Sequence, residues 1–100
     1  MNILQAVTKI YKVSYNDLTS NSRKRQLVDA RKQIIARLYK KDVITFPALG
    51  RFLNRHHTTI IHHLRDHQYL IQYNLDYKKK AQLIDELINE NKLDELYEDQ

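Results

Sequence analysis

The amino-acid sequence predicts an all-α domain of about six helices, in which a long central helix supports a helix-turn-helix. Apolar side chains recur at helical spacing along most of the 100 residues, and no segment alternates convincingly like a strand. The chain holds one glycine and one proline, so few positions interrupt a helix. A chain of this length has room for one domain with a single modest core.

Three helices are expected before the helix-turn-helix. Asn2 is expected to cap the first, and the capping-box pattern at 14–17 predicts a short second helix over 15–19. A third, uninterrupted helix reaching about Lys41 carries a strong apolar face and is the predicted central helix. Arg31 lies among these apolar residues, so we expect it at the edge of the buried face.

The fourth and fifth helices form the predicted helix-turn-helix. Thr45 is expected to cap the fourth helix, which has Pro47 in its first turn, where a missing amide proton costs little. Gly50 lies inside this helix at a cost of about 1 kcal/mol relative to alanine, which predicts a close contact with a neighbouring helix. Residues 54–56 make the turn, and the fifth helix is expected over 57–69 or beyond.

The fifth helix has two chemically different sides. Helical spacing places a stripe for core packing on one side: Ile60, Leu64, His67 and Ile71. Hydroxyl, imidazole and guanidinium groups occupy the other side and the amino end: Arg55, His56, His57, Thr58, His62 and Arg65. This second set contains no carboxylate. Such groups suit base edges and phosphates in a DNA major groove, so the fifth helix is the predicted recognition helix.

Charge is distributed unevenly along the chain. The net charge is +5, but residues 1–80 hold 16 of the 17 Lys and Arg and only five Asp, whereas residues 81–100 hold one Lys and seven acidic side chains. A basic body of this kind favours a polyanionic partner, most simply nucleic acid. We therefore expect a DNA-binding helical domain at 1–80, with its helix-turn-helix at about 45–73, and an acidic last helix of the same domain at 81–100.

The last helix is expected to start at Asn74 or Asp76 and to end near residue 97. Its predicted apolar stripe consists of Leu83, Ile84, Leu87 and Ile88, extended by Leu93, Leu96 and Tyr97. Three roles are open for this helix. It is a solvated face over the core, a docking surface for a replication protein through Leu93, Leu96 and Tyr97, or a segment that masks the basic part of the domain.

No metal, cofactor or enzymatic activity is expected. The segment from His63 to His67 mimics a zinc-protease motif with Asp in place of Glu, but no third protein ligand is identifiable. The absence of cysteine excludes disulfides and thiolate metal sites. No apolar run is as long as a membrane span, and no signal peptide is evident, so a cytoplasmic, nucleoid-associated monomer is expected.

Three sequence segments carry a family resemblance. They are residues 22–31, the segment Phe46-Pro47-Ala48-Leu49-Gly50, and the segment Arg55-His56-His57-Thr58-Thr59-Ile60-Ile61-His62. Together they resemble the carboxy-terminal DNA-binding domain of the bacterial chromosomal replication initiator DnaA: its basic loop, the first helix of its helix-turn-helix and its recognition-helix motif. The similarity in order and spacing covers about residues 2–73. It implies a Trp-repressor-like fold that binds DNA.

The resemblance also implies a set of DNA-contacting residues. Arg23 matches the arginine that the family inserts into the minor groove, while Arg25 and Arg31 match basic positions that lie against phosphate. Phe46 and Pro47 match residues that touch a thymine methyl group in the major groove. In the family, one set of residues at the recognition helix contacts bases and backbone. The matching positions in this chain are Arg55, His57, Thr58, Thr59 and His62.

Two departures from the family pattern affect the expected base preference. His56 stands where the family has an aspartate that accepts a hydrogen bond from a cytosine amino group. A protonated ring nitrogen cannot accept that bond, so the family's preference does not carry over to this position. Leu53-Asn54 stands where the family has a glycine pair, in a turn one residue shorter. We therefore expect the recognition helix to enter the groove at a slightly different angle.

The expected function is sequence-specific binding of double-stranded DNA at short A·T-rich sites like those of the initiator, bearing on replication initiation or its regulation. The sequence has no Gly-x-x-x-x-Gly-Lys-Ser/Thr phosphate loop, so ATP hydrolysis is not expected of it. The chain is expected to be either an excised domain or a small stand-alone protein that reads similar sites. The alternative function is a protein–protein module that sequesters a replication or transcription factor through the acidic last helix.

Overall fold

The computed structural model describes the backbone of residues 1–98 and the side chains of residues 1–89. This part of the chain forms six helices: α1 Ile3–Tyr11, α2 Tyr15–Thr19, α3 Arg25–Leu38, α4 Phe46–Leu53, α5 His57–Tyr73 and α6 Leu75–Glu98. Within it, the β-type pairing is limited to an isolated bridge between Lys40 and Ile44. The predicted all-α fold is confirmed. None of the described helices is long and apolar enough to cross a membrane.

The helix starts follow from capping residues in the sequence. The Asn2 side chain accepts a hydrogen bond from the Gln5 amide at 2.8 Å, and Ser14 and Asp17 form a reciprocal capping box. The Thr45 hydroxyl oxygen accepts from the Ala48 amide at 3.3 Å. Asn74 caps α6 in the same way, through the Tyr77 amide at 3.0 Å. Each of these helices therefore begins where its polar cap predicts.

The end of α3 differs from the prediction. The helix stops at Leu38, three residues before Lys41, because the following residues form a tight turn. Asp42 occupies the left-handed region at φ 65°, and the Ile44 amide donates to the Lys40 carbonyl at 2.9 Å. This turn directs the chain into α4.

The core lies around α3, which contacts α1, α2, α4 and α5. Its fully buried apolar side chains include Val7, Leu18, Ile34, Ile35, Leu49 and Ile60. Gln33 is buried among them, which the sequence pattern does not predict. Its amide nitrogen donates to the Tyr11 hydroxyl at 3.2 Å and the Tyr77 carbonyl at 3.4 Å, which offsets the cost of burying a polar group.

The first half of α6 packs on the core. Its buried residues are Tyr77, Ala81 and Ile84, with Ile88 half-buried, so the stripe runs at spacings of four, three and four residues. The expected place of Leu83 in this stripe is wrong, because its side chain is 47% exposed. The expected extension through Leu93, Leu96 and Tyr97 lies outside the side chains that the structure describes.

Arg37 fastens α6 to α3. Its guanidinium donates to the Ala81 carbonyl at 3.1 Å and to Asp85 Oδ1 at 2.9 Å. A second nitrogen donates to Gln33 Oε1 at 2.7 Å. One side chain thus joins the central helix to α6 through both backbone and carboxylate contacts.

Candidate nucleic-acid interface

The turn between α4 and α5 depends on Gly50 and Asn54. The Arg55 amide donates to the Gly50 carbonyl at 2.7 Å, and a Cβ atom on Gly50 would lie 2.5 Å from the Arg55 carbonyl oxygen. The expected contact of Gly50 with a neighbouring helix is present at the His57 amide of α5, 3.5 Å from such a Cβ, but the closest approach is to the turn itself. Asn54 adopts the left-handed conformation at φ 56°, which asparagine tolerates better than most residues.

His56 caps the amino end of α5. Its Nδ1 accepts a hydrogen bond from the Thr58 amide at 3.2 Å, so the cap lies one residue before the first helical residue, His57. An accepting Nδ1 carries no proton, and in the neutral ring the proton is then on Nε2. The cap therefore orients the imidazole as a hydrogen-bond donor at its outer nitrogen.

The two sides of α5 have the character that the sequence predicts. Ile60 is fully buried, and Leu64, His67 and Ile71 are partly buried. The polar side is exposed at His57, Thr58, His62 and Arg65, while Thr59 is half-buried.

Phe46 and Pro47 begin α4 and differ in exposure. The Phe46 ring is half-buried and stacks on Tyr39, with ring centroids 4.4 Å apart and planes within 2°. Pro47 is exposed and lines a shallow cleft with Arg51, His56 and His57.

A second cleft separates the loop after α2 from the start of α5. It is lined by Asn21, Arg23, Val28, Arg31, Asn54, Arg55, His56, Thr59 and His63. The two clefts share Asn54, Arg55 and His56 and have no carboxylate in their lining. We use the name basic face for these clefts together with the exposed side of α5. Arg23 and His57, the first residue of α5, are 34 residues apart in sequence, yet Arg23 and the first turn of α5 line one recess.

The sequence predicts Arg31 at the edge of the buried face, but the residue lies inside the fold. The residue is 1% exposed, and its Nε donates to the Leu18 carbonyl at 2.7 Å. Its terminal nitrogens donate to the carbonyls of Asp17, Ser20 and Ser22 at 3.3, 3.1 and 2.9 Å. Four carbonyl partners occupy this guanidinium, so the phosphate contact implied by the family resemblance is wrong for Arg31. Arg25, in contrast, has a side chain 79% exposed.

Arg55 is half-buried and also contacts carbonyl oxygens. One terminal nitrogen donates to the Asn54 carbonyl at 2.9 Å, and the other donates to the Ser20 carbonyl, which Arg31 also contacts. The proximity of Arg55, together with burial as the larger cause, lowers the pKa of Arg31.

His63 was considered in the sequence only as a zinc ligand, yet it lines the cleft beside Arg23. Its Nδ1 is buried and has no hydrogen-bond partner among the described residues. Burial lowers its pKa to about 4, with the positive charge of Lys32 contributing in the same direction. The spacing of four residues from Thr59 was the available signal for its position. His63 therefore forms a neutral wall of the cleft at physiological pH.

The other half of the suspected zinc motif has a different partner. His67 Nδ1 lies 2.6 Å from the Tyr77 hydroxyl, at the contact of α5 with α6. Among the side chains that the structure describes, no group of three His, Cys, Asp or Glu residues is arranged to hold a metal ion.

The fold and this surface define a DNA-binding helix-turn-helix domain. Two short-linked helices, α4 and α5, rest on a central helix, and the second presents a polar side without carboxylates at its amino end. The sequence matches the family described as "Bacterial dnaA protein helix-turn-helix" over residues 1–66. The chain therefore belongs to the helix-turn-helix family of bacterial DnaA proteins.

Its relatives include three proteins named chromosomal replication initiator protein DnaA. The protein of Rhizobium meliloti is 37% identical over 92 residues, which cover 89% of this chain and 19% of that protein. The protein of Agrobacterium fabrum is 37% identical over 94 residues, covering 90% and 19%. The protein of Rhizobium johnstonii is 36% identical over 92 residues, covering 89% and 19%. This chain thus spans 19% of the length of each relative, and no solved structure matches it significantly.

Proposed function

We propose that this domain binds double-stranded DNA sequence-specifically, at short A·T-rich sites of the kind expected for an initiator. In the proposed complex, the start of α5 enters the major groove and Arg23 reaches into the adjacent minor groove, whose negative potential is strongest in A·T-rich DNA. Because the relatives are named chromosomal replication initiator proteins, we further propose that occupancy of these sites bears on replication initiation or its regulation.

The observation that carries this proposal is the recess shared by Arg23 and α5. One DNA strand separates a minor groove from the adjacent major groove. A protein that reaches into both grooves therefore needs a recess between its two reading elements, and that recess must accept phosphates. The cleft beside His63 meets this need because Arg23 lies on one wall, Thr59 on the other, and no carboxylate lines it.

The proposed contacts divide by groove and by backbone. Exposed hydroxyl, imidazole and guanidinium groups on α5 suit base edges and phosphates, and the Pro47 ring suits a thymine methyl group. Arg25 lies 3.8 Å from Asp29, but its side chain is 79% exposed, so in the proposed complex it exchanges this weak ion pair for a phosphate. The full proposed set is Arg23, Arg25, Phe46, Pro47, His56, His57, Thr58, Thr59, His62 and Arg65.

A selection of bound duplexes from a random pool tests this function. The proposal predicts enrichment of one short A·T-rich motif, and Thr58→Ala or His62→Ala should weaken binding to it by roughly 1–3 kcal/mol if they read bases. With roughly four to six phosphate contacts, the logarithm of the association constant should fall with the logarithm of salt concentration with a slope of about −4 to −5. A pool without an enriched motif would remove sequence specificity from the account.

His56 provides the sharpest expectation about base preference. Since Nδ1 accepts from the Thr58 amide, the outer Nε2–H is a donor that suits guanine O6 or N7, adenine N7 or thymine O4. We predict that the wild-type domain prefers a base with such an acceptor at this position. His56→Asp, which keeps a capping side chain but replaces the donor by an acceptor, should shift the preference toward cytosine by roughly 1–3 kcal/mol.

The matched control for this change is His56→Asn. Asparagine also caps a helix, but its amide carries both a donor and an acceptor, so it should broaden the preference without reversing it. Selections with the three proteins compare the base at one position directly. An unchanged base for His56→Asp would mean that this side chain caps α5 and does not read DNA.

A further inference from the structure

We propose that Arg55 is a positioning residue, which ties the loop carrying Arg23 to the turn of the helix-turn-helix and so fixes the spacing between the two DNA-reading elements. The inference rests on the proposed function, because it concerns how the same interface is assembled. It gives Arg55 a role other than the direct DNA contact implied by the family resemblance.

The loop that carries Arg23 is held from beneath by α3. The guanidinium of the buried Arg31 donates hydrogen bonds to the carbonyls of Leu18, Ser20 and Ser22. Ser22 immediately precedes Arg23 in the chain, so the last fixed carbonyl lies one residue before the proposed minor-groove side chain.

The same loop is held from the side by the turn before α5. The Asn54 side-chain amide donates to the Thr19 carbonyl at 3.2 Å, and Arg55 donates to the Ser20 carbonyl. The Tyr15 hydroxyl, on α2, donates to the Phe52 carbonyl of α4 at 2.6 Å. These bonds cross from the α2 region to the helix-turn-helix over sequence separations of 35 to 37 residues.

Arg55 can link two segments because its guanidinium has two terminal nitrogens that donate in different directions. It contacts the Asn54 carbonyl in the turn and the Ser20 carbonyl in the loop at the same time. A planar guanidinium has donors fixed in direction for two such partners, whereas a lysine ammonium is a point charge on a flexible stem. The bridge also holds Arg55 near Arg31 despite their like charges, so the carbonyl contacts must offset that repulsion.

The consequence is a defined distance between the minor-groove and major-groove elements. Without Arg55, the loop keeps its attachment to α3 but loses its principal charged link to the turn. Arg23 would then no longer be held in register with α5, and its discrimination of A·T from G·C pairs would weaken although Arg55 touches no base.

A double-mutant cycle on DNA tests this coupling. The cycle uses the wild type, Arg23→Ala, Arg55→Ala and the double variant, each measured on the selected site and on the same site with its minor-groove A·T pairs replaced by G·C. Discrimination is the ratio of the two dissociation constants. Arg23→Ala should lower it about 10-fold, Arg55→Ala by a similar factor, and the double variant should lose little more than either. Losses that multiply would overturn the proposal, because they would show independent contacts.

Two further variants separate positioning from charge. Arg51→Ala removes the same charge from an exposed position on α4, and it should weaken both duplexes equally, leaving discrimination unchanged. Arg55→Lys keeps the charge but loses the fork, so it should lose discrimination as Arg55→Ala does. Wild-type discrimination in Arg55→Lys would contradict the proposal, and circular dichroism would confirm that each variant is folded.

Hydrogen exchange in the free protein tests the same link without DNA. The Ser22 amide donates to the Ser20 hydroxyl oxygen inside the loop, so its exchange rate reports loop opening. Exchange should be at least about 10-fold faster in Arg55→Lys than in the wild type and unchanged in Arg51→Ala. Equal rates in all three proteins would overturn the positioning role. A different outcome is possible: exchange is faster in Arg55→Lys, but the wild-type protein binds the two duplexes equally well and Arg23→Ala changes nothing. In that case the proposed function fails and the link between loop and turn stands.

Discussion

Cations on two parts of this domain have different surroundings. Away from the basic face, four of them lie against carboxylates: Arg37–Asp85 at 2.9 Å, Lys80–Asp76 at 3.1 Å, Lys32–Asp66 at 3.7 Å and Arg25–Asp29 at 3.8 Å. On the basic face, Arg23, Arg51 and Arg65 are exposed and have no carboxylate within 4.0 Å among the described residues. Carboxylates therefore neutralise several cations away from the basic face and none of these three arginines. Exposed lysines elsewhere, such as Lys9, Lys40 and Lys78, likewise have no carboxylate within 4.0 Å among the described residues.

This difference separates cations that are neutralised within the fold from cations whose charge is available to a polyanion. An exposed ion pair contributes about 0–1 kcal/mol to stability, and a cluster of unpaired cations destabilises the fold through repulsion. Retaining such a cluster makes physical sense when a polyanion neutralises it. Arg31 and Arg55 form a third category, since both line the clefts of the basic face but contact carbonyl oxygens within the protein.

The largest expected effect separates Arg31 from Arg23. Arg31→Met should lower the free energy of unfolding by about 3 kcal/mol or more, because carbonyls in the loop lose their donors in a buried site. Arg23→Met should change it by no more than about 0.5 kcal/mol, as is usual for an exposed position. Urea unfolding of both variants measures these changes. Similar losses of unfolding free energy in the two variants would contradict the contrast.

The pH dependence of stability is the second way to sharpen the comparison. Burial lowers the pKa of both His63 and His67 from 6.5 to about 4, and nearby positive charge contributes: Lys32 for the first and Arg37 for the second. A lowered pKa means that the unfolded chain binds more protons between pH 4 and 6.5. The stability these histidines provide is thus complete above pH 6.5 and is lost as the pH falls toward 4.

Thermal unfolding between pH 7 and pH 4 measures this loss. The melting temperature should decrease over that interval, and His67→Gln or His63→Gln should each make the decrease shallower. His63 lies at the basic face and His67 at the α5–α6 contact, so the two variants report the two parts separately. A melting temperature independent of pH would contradict the buried, neutral state of both rings.

The smallest expected effects concern single exposed cations. Arg65→Ala should weaken all DNA binding and reduce the magnitude of the salt slope by about one, if its charge neutralises a phosphate. Lys80→Ala removes the same charge from a cation paired with Asp76 and should leave the slope unchanged. DNA titrations at several salt concentrations compare the two variants. Equal salt slopes for both would contradict the distinction between cations on the basic face and cations paired with carboxylates.

Much of the helical architecture was readable from local chemistry. Caps at Asn2, Ser14 and Thr45 depend on side chains within three residues of one another, so the sequence contains the whole interaction. The polar and apolar sides of α5 follow from helical spacing in the same way.

Contacts that helical periodicity does not describe account for the main differences from the predictions. Periodicity predicts Arg31 at an edge because it does not reveal that a loop folds over α3 and surrounds this charged side chain with carbonyls. The sequence predicts helix packing at Gly50, but its closest neighbour is the carbonyl of Arg55 in the turn. Likewise, the link from Arg55 to Ser20 spans 35 residues and has no local signature.

The central claim is that the loop at Arg23 and the start of α5 read adjacent grooves of one duplex. Because the chain has no cysteine, Asn21→Cys and Arg65→Cys each provide a single thiol for a tethered DNA-cleaving iron chelate. On the selected site, cuts from position 21 should show the 3′-shifted pattern of minor-groove cleavage, and cuts from position 65 the 5′-shifted pattern of the major groove, roughly half a helical turn (about 5 base pairs) away. Cuts from both positions in the same groove, or no localised cuts from position 21, would contradict the account.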